Sequence, residues 1–294
     1  MNRTRLGWLL LSPTLAILFL FGVFPFLYVL WVSFHEWNPF AANPYKVFNW
    51  AANYRKLVFD DGFLASFGAT CAFVFFAVTS QVILGYALAQ AFLRDFPGKA
   101  FFRTIHTLPL IMAPIIVGSV WKLMTTPSIG VIPYVLKHTV GFDLNIGTSA
   151  LAAFTVTVVM DIWHWTPLVT LTMIAALVSL PAEPFEQAQI DGAGKRQIFW
   201  HITLPMIRPA LIATVFIRLM DAMRTVDEVL MLTGGGPGSA TRYVGVHIFK
   251  EVFPRTNYGY GSAISVIVLY ITIVVCWLLY VSLIAPRVQR GQQL

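Results

Sequence analysis

Charged residues are scarce in this sequence: they make up 11% of its 294 residues, against roughly 25% in an ordinary soluble domain. Apolar residues make up 57% of the chain. This balance argues against a soluble globular domain and favours a protein that crosses a membrane several times. The net charge of +7 is not gathered in a basic stretch with interleaved aromatics, so the sequence carries no sign of nucleic-acid binding.

Cysteines and recognisable catalytic motifs are also few or missing. The two cysteines, Cys71 and Cys276, lie in separate apolar stretches and lack the paired spacing of a metal site or a disulfide framework. No Walker motif occurs in the sequence, so the chain cannot hydrolyse ATP by the P-loop route on its own. No set of nucleophile and base or of metal ligands is recognisable either, which argues against a membrane-embedded enzyme.

The apolar residues fall into six stretches, each near or above the roughly 20 residues that one transmembrane helix needs. Their predicted limits are roughly 7–34, 66–93, 101–124, 150–180, 207–232 and 262–285. The first stretch is too long for the apolar part of a signal peptide, and no small-residue cleavage site closes it, so we interpret it as an uncleaved span. The sequence therefore predicts an all-α membrane protein, a single transmembrane domain over residues 1–294.

Lysine and arginine residues predict the orientation of these spans. With the N-terminus inside, the inner segments hold Arg3, Arg5, Arg94, Lys99, Arg103, Lys195, Arg196, Arg208, Arg287 and Arg290. The outer loops are longer and hold Lys46, Arg55, Lys56, Lys137, Arg242, Lys250 and Arg255. This bias follows the positive-inside rule and predicts that both termini are cytoplasmic.

The longest predicted inner loop, residues 181–206, contains the signals of a short helix. Glu183 and Pro184 suit the first turn of a helix, and Gly192 suits its end. We therefore predict a helix over roughly Phe185–Asp191. A helix that docks on another protein and an amphipathic helix that lies on the inner leaflet are both compatible with these residues.

A second short helix is predicted in the same loop. It would run from Lys195 towards Ile202, and Pro205 would then bend the chain into the next span. Phe185 and Phe199 are the apolar side chains that we expect to anchor a partner surface.

The loop resembles the one by which permeases of type I ABC importers dock onto their ATPase. In that family the loop reads E-A-A, three residues, G, nine residues, then I-x-L-P. The matching residues here are Glu186, Ala188, Gly192, Ile202, Leu204 and Pro205, with Gln187 in place of the central alanine. Asp191-Gly192-Ala193 also matches the D-G-A form that is frequent in this motif.

Matches elsewhere resemble the carbohydrate-type members of this family. They are Pro25 with Ser33-Phe34, Asn53-Tyr54, Leu108-Pro109, and the segment from Val226-Asp227-Glu228 to Leu232-Thr-Gly-Gly-Gly-Pro237. In the last segment the family usually has an aromatic residue where this chain has Val226.

The resemblance implies a six-helix permease bundle with a cytoplasmic coupling helix, in a bacterial inner membrane. The residues that would couple to the ATPase are Phe185, Glu186, Ala188, Asp191, Gly192, Ala193 and Pro205. The implied partners are a second homologous permease, two ATPase subunits that bind ATP and magnesium, a periplasmic or extracellular solute-binding protein, and membrane lipid. The chain itself would have no cofactor, no metal and no catalytic residue.

Ionisable residues in the predicted fifth span are candidates for the transport pathway, because charge inside a bilayer is costly. They are Arg218, Asp221, Arg224, Asp227 and Glu228. On one helix they would share about half of the circumference, with Arg218 paired to Asp221 and Arg224 paired to Asp227 or Glu228. This face would either line the cavity for the solute or hold neighbouring helices together.

The fourth span contributes Asp161, Trp163, His164 and Trp165. A tryptophan beside a carboxylate suits a sugar, whose C–H face stacks on an aromatic ring, but tryptophan is also common at bilayer interfaces. We interpret His164 as a packed or paired histidine. Gln81, Trp121 and Lys122 are weaker candidates.

The resemblance implies import of a sugar or a sugar derivative. A polyol, sugar acid, sulfonated sugar or glycerol phosphate is an alternative cargo. An ion-coupled secondary transporter is a further alternative, although the chain has no convincing pair of matching halves.

Overall fold

The computed structural model describes residues 3–283, and most of them lie in helices. The helices are α1 Arg3–Leu18, α2 Phe24–Ser33, α3 Ala52–Val58, α4 Asp61–Leu93, α5 Lys99–Ile111, α6 Pro114–Thr125, α7 Val131–Val140, α8 Ala150–Val178, α9 Glu183–Ile190, α10 Lys195–Ile198, α11 Leu204–Ala222, α12 Asp227–Leu232, α13 Val244–Val252 and α14 Tyr258–Leu283. Short π-helical segments, Phe19–Val23 and Phe199–Thr203, join α1 to α2 and α10 to α11. Two strands, β1 His35–Glu36 and β2 Val47–Phe48, pair antiparallel.

Five stretches of helix are long and apolar enough to cross a membrane. They are Leu10–Ser33, Asp61–Leu93, Ala150–Val178, Lys195–Ala222 and Tyr258–Val281, and the bent pair α5 and α6 makes a sixth if it is one span. The predicted all-α membrane fold is therefore confirmed. The last two residues of the predicted span 262–285, together with Arg287 and Arg290, lie outside the described residues.

The predicted third span, residues 101–124, is not one straight helix. α5 and α6 are bent by 105° relative to each other. Met112 and Ala113, which separate them, have extended backbone with ψ of 138° and 137°. A residue before proline disfavours the helical region, so Pro114 at the start of α6 accounts for the break at Ala113.

The predicted fifth span, residues 207–232, begins too late. The observed apolar helix starts at Lys195, so the predicted bend at Pro205 is wrong. Pro205 lies at the start of α11, directly after the π-helical segment Phe199–Thr203. The proline is tolerated there because the hydrogen-bond pattern changes from π-helical to α-helical at this position.

The same prediction also ends too late, because the long helix stops at Ala222. Asp227 and Glu228 lie in the first turn of the separate helix α12, where the positive end of the helix dipole favours acidic side chains. The expectation that Arg218 and Glu228 share one helix is therefore wrong.

The described chain divides into two compact units. Among the described residues, the first comprises 3–64 and 247–273, and the second comprises 65–246 and 274–283. In the first unit, the buried Asn53 side chain donates to the carbonyl oxygens of Ser33 and His35 at 2.8 and 2.9 Å. This amide ties the start of α3 to the β1–β2 hairpin.

The second unit contains the candidate site, and a close helix contact shapes it. α6 packs along α12, and a Cβ atom at Gly118 of α6 would lie 2.4 Å from the backbone oxygen of Glu228. Real Cβ atoms do not approach a carbonyl so closely, so only glycine fits this position. Behind the contact, Val117, Trp121 and Leu232 belong to one buried apolar cluster.

Candidate functional site

A fully buried arginine joins three helices of the second unit. Arg218 of α11 is 0% exposed. Its Nε donates to Oε1 of Gln81 in α4 at 2.9 Å, and its Nη2 donates to Oδ2 of Asp161 in α8 at 3.1 Å. Gln81 in turn donates through Nε2 to Oδ2 of Asp161 at 2.6 Å. The guanidinium is thus paired with a carboxylate that is itself 1% exposed.

Arg218 makes two further contacts, with Asp221 and with Trp165, and both of these residues line a cavity that is described below. Nη1 of Arg218 donates to Oδ2 of Asp221 at 2.6 Å, which confirms the predicted pairing of these two residues. The guanidinium carbon lies 4.6 Å from the centre of the Trp165 ring, a cation–π contact. Arg218 therefore contacts both the carboxylate of Asp221 and the ring of Trp165.

A second buried pair connects α8 to α12. Nδ1 of His164 lies 2.7 Å from Oε1 of Glu228, and both side chains are almost fully buried. His164 is thus a paired histidine, as the sequence indicates. The other carboxylate oxygen of Glu228, Oε2, has no hydrogen-bond partner among the described residues. A buried carboxylate oxygen without a donor is costly unless a ligand or water supplies one.

The predicted pairing of Arg224 with Asp227 or Glu228 is wrong. Arg224 follows the end of α11, its side chain is 77% exposed, and its nearest carboxylate oxygen is Oδ1 of Asp221 at 3.8 Å. The turn between α11 and α12 separates Arg224 from the residues with which it would pair on a continuous helix.

Four of the residues described above, Trp165, Asp221, Arg224 and Glu228, line a polar cavity of about 360 Å³. The cavity lies beside the break between α5 and α6 and beside the turn between α11 and α12. Its lining residues are Pro114, Trp165, Asp221, Arg224, Thr225, Val226, Asp227 and Glu228. One tryptophan, one arginine with an exposed side chain and three acidic residues thus line a space large enough for a small polar solute.

The other candidates of the fourth span lie away from this cavity. Asp161 and His164 are buried and act through Arg218 and Glu228. Trp163 is 41% exposed, meets Trp121 edge-on at 6.0 Å, and lines a different cavity with Phe92, Phe102, His106 and Pro109.

Gln81, ranked as a weak candidate from the sequence, is central to the network. Its signal in the sequence is a single amide within a long apolar helix, which is costly unless the amide is paired.

The predicted inner-loop helix is observed as α9, with Pro184 in its first turn. The chain leaves α9 through Gly192, whose φ of 74° is left-handed and favours glycine. The N–H of Ala193 donates to the carbonyl of Ala188 at 2.9 Å, and Ala188 is buried. The short helix and its turn therefore form a hydrogen-bonded knob.

The exposed side chains of this knob differ from those expected. Phe185 and Phe199 are half-buried, whereas Glu186 and Asp191 are exposed. Ile190, which the sequence analysis does not single out, is 85% exposed. Pro205, the last residue of the expected coupling set, is half-buried at the start of α11. Among the residues described, no group of three His, Cys, Asp or Glu side chains is arranged to hold a metal ion.

The long apolar helices and the buried charge network define a multi-pass transport protein of the membrane. The chain belongs to the family of binding-protein-dependent transport system inner membrane components, whose family model matches residues 81–290. It is therefore a permease of the ABC importer class and a transport component rather than an enzyme.

Curated relatives match almost the whole chain. The trehalose/maltose transport system permease protein MalF of Thermococcus litoralis is 34% identical over 90% of this chain and 89% of its own length. The trehalose transport system permease protein SugA of Mycobacterium tuberculosis is 27% identical over 99% of this chain and 92% of its own length.

A solved structure has the same fold. The crystal structure of a bacterial ABC transporter involved in the import of the acidic polysaccharide alginate matches with a TM-score of 0.79. It is 19% identical and covers 95% of this chain and 94% of that chain, so the likeness concerns the fold.

Proposed function

We propose that this permease forms half of the membrane pathway for a sugar or sugar derivative. The observation that carries the proposal is the cavity in which the Trp165 ring lies beside carboxylates of Asp221, Asp227 and Glu228. Carboxylate oxygens accept hydrogen bonds from sugar hydroxyls, and the apolar face of a sugar ring stacks on indole. Relatives named for trehalose, maltose and multiple sugars support the same class of cargo.

We propose that α9 couples the permease to the conformational change of its ATPase subunit. The helix is short and rigid, and it presents the exposed Ile190 and Glu186 beside the turn at Gly192. Such a knob fits a cleft on an ATPase subunit, where ATP and magnesium would bind. A rigid-body movement of the ATPase would then move α9, and the cavity would open to one side of the membrane at a time.

The complete importer in this proposal has further members. A second homologous permease provides the other half of the pathway, two ATPase subunits dock on the inner side, and a solute-binding protein delivers the sugar from outside. Both termini of this chain are then cytoplasmic. A solved complex of an alginate ABC transporter with a periplasmic protein bound to an alginate pentasaccharide supports the binding-protein partner.

The cargo test is uptake of radiolabelled trehalose and maltose by vesicles that contain the importer with the partner subunits encoded beside it. Trp165→Ala should reduce uptake about two- to tenfold, because an aromatic contact is worth about 0.5–1.5 kcal/mol. Trp163→Ala is the matched control on the same helix and should retain most of the activity. Equal losses in the two variants, or no uptake of either sugar, would contradict the proposed cargo site.

The coupling test uses sugar-stimulated ATP hydrolysis by the assembled importer. Ile190→Asp, Glu186→Ala and Gly192→Asp should each reduce stimulated hydrolysis and uptake while the chain still inserts in the membrane. Gln189→Ala, an exposed position on the same helix, is the control. Normal stimulation in all three variants would exclude α9 as the coupling element.

A further inference from the structure

The charges that surround the cavity are unequal in sign. Three acidic residues, Asp221, Asp227 and Glu228, belong to its lining, and Arg224 is the one basic residue there. The lining therefore has two more acidic residues than basic ones. A cavity lined by one sign of charge repels solutes of that sign, most strongly where water is limited.

The buried arginine does not offset this excess. Arg218 is absent from the cavity lining, and its guanidinium donates to Gln81, Asp161 and Asp221. The charge of Arg218 is balanced by Asp161, which is equally buried. Arg218 cannot therefore clamp a carboxylate, sulfate or phosphate of a solute without breaking its own buried pair.

The exposed arginine is the remaining cation at the cavity. The nearest carboxylate to Arg224 is that of Asp221, at 3.8 Å, and Asp227 lines the same space. A solute anion that approached Arg224 would also approach these two carboxylates, so the attraction and the repulsion would largely cancel.

The carboxylate that a solute can reach is that of Asp227, which is exposed and belongs to the cavity lining. A carboxylate accepts hydrogen bonds, and a sugar hydroxyl is a donor whereas an ionised acid group is an acceptor only.

We infer that the cavity selects an uncharged polyhydroxylated solute and rejects its acidic derivatives, with the exposed Asp227 as the residue that enforces the selection. The inference rests on the proposed carbohydrate function and narrows it. Sugar acids, sulfonated sugars and sugar phosphates are excluded as preferred cargo, and neutral saccharides or polyols remain.

The test measures binding to the membrane-embedded complex of both permeases and both ATPase subunits, without the soluble binding protein, so that the selectivity of that protein does not contribute. The neutral probes are trehalose and maltose, and their acidic counterparts are trehalose 6-phosphate and maltobionate. Each competes with radiolabelled trehalose in nanodiscs of neutral lipid. We expect the acidic probes to bind about tenfold more weakly than the neutral ones at low salt, and the ratio to shrink at high salt.

Charge variants assign the selection to the cavity. Asp227→Asn should reduce the ratio to about threefold, and Arg224→Gln should increase it, because the two changes shift the cavity charge in opposite directions. Asp143→Asn removes an exposed carboxylate that does not line the cavity and should leave the ratio unchanged.

The possible results separate the inference from the function on which it rests. Acidic probes that bind as tightly as neutral ones would overturn the inference and leave a carbohydrate permease. A preference for neutral probes that neither Asp227→Asn nor Arg224→Gln alters would overturn the assignment of the selection to the charges of the cavity. Binding of none of the four probes would overturn both the inference and the proposed carbohydrate function.

Discussion

Removal of the Arg218 guanidinium is the sharpest test of the buried network. In Arg218→Met the carboxylate of Asp161, which is 1% exposed, loses its ionic partner and keeps only the amide of Gln81 as a side-chain donor. Loss of one member of a buried ion pair costs about 3–5 kcal/mol, because the other charge stays buried without compensation. Asp221 is more exposed, at 36%, and can be solvated after the change.

The double variant distinguishes this explanation from a simple loss of packing. Arg218→Met combined with Asp161→Asn removes both charges and leaves an amide that can still bond to Gln81. Replacement of a whole buried pair often changes the free energy of unfolding little. We therefore expect the free energy of unfolding of the double variant to lie within about 1–2 kcal/mol of that of the parent chain. The coupling free energy between the two positions should then exceed about 2 kcal/mol.

The assay is equilibrium unfolding of the purified chain in mixed micelles by increasing SDS, followed by helical circular dichroism. Arg224→Met is the matched control, because it removes the same group from a side chain that is 77% exposed and 3.8 Å from its carboxylate. An exposed pair contributes about 1 kcal/mol or less. Additive losses in the double variant, or an equal loss in Arg224→Met, would refute the proposed role of the buried charge.

Two predictions concern other parts of the chain. Gly118→Ala would place a Cβ 2.4 Å from the backbone oxygen of Glu228 and should destabilise the chain by about 1–3 kcal/mol. The control is Gly68→Ala, whose Cβ would meet nothing within 4 Å and should not destabilise the chain. Equal stability of the two variants would contradict the close contact at Gly118. Burial opposes ionisation of Asp60, but hydrogen bonds from Tyr260, Phe63 and Gly62 outweigh it and lower the pKa of Asp60. The stabilising contribution of Asp60 should therefore be present above the ordinary carboxyl pKa and be lost as the pH falls below it, and Asp60→Asn should flatten the acid side of a stability-against-pH curve.

Local sequence patterns were sufficient for much of the architecture. Long apolar runs predict spans because about 20 residues of helix match the bilayer, and four of the five observed long apolar helices lie close to predicted stretches. α9 was predicted within about two residues, since Pro184 and Gly192 act on their own neighbours. The predicted span limits were wrong near two prolines, because a proline can either interrupt a helix or be tolerated within it. Pro114 follows a break between two helices, whereas the apolar helix Lys195–Ala222 continues through Pro205.

The site was only partly predictable. Asp161, Trp165, Asp221 and Glu228 belong to the network or the cavity, because charge and aromatic rings inside a span are unusual enough to be noticed. Trp163 was a wrong candidate for this cavity, since adjacent residues on a helix face different neighbours. Ile190 was missed because an apolar residue in a short helix looks like a buried one until its exposure is known.

The sequence by itself determined that this is a membrane protein with a short helix between two spans, because hydropathy and helix start and stop signals involve residues close together in the chain. Only the tertiary structure decided which charges are free to meet a solute. Arg218 finds Asp161 and Gln81 across 57 and 137 residues of chain, and no local pattern encodes such contacts. Arg218 is buried and paired and does not line the cavity, whose lining contains Arg224 and the acidic residues Asp221, Asp227 and Glu228.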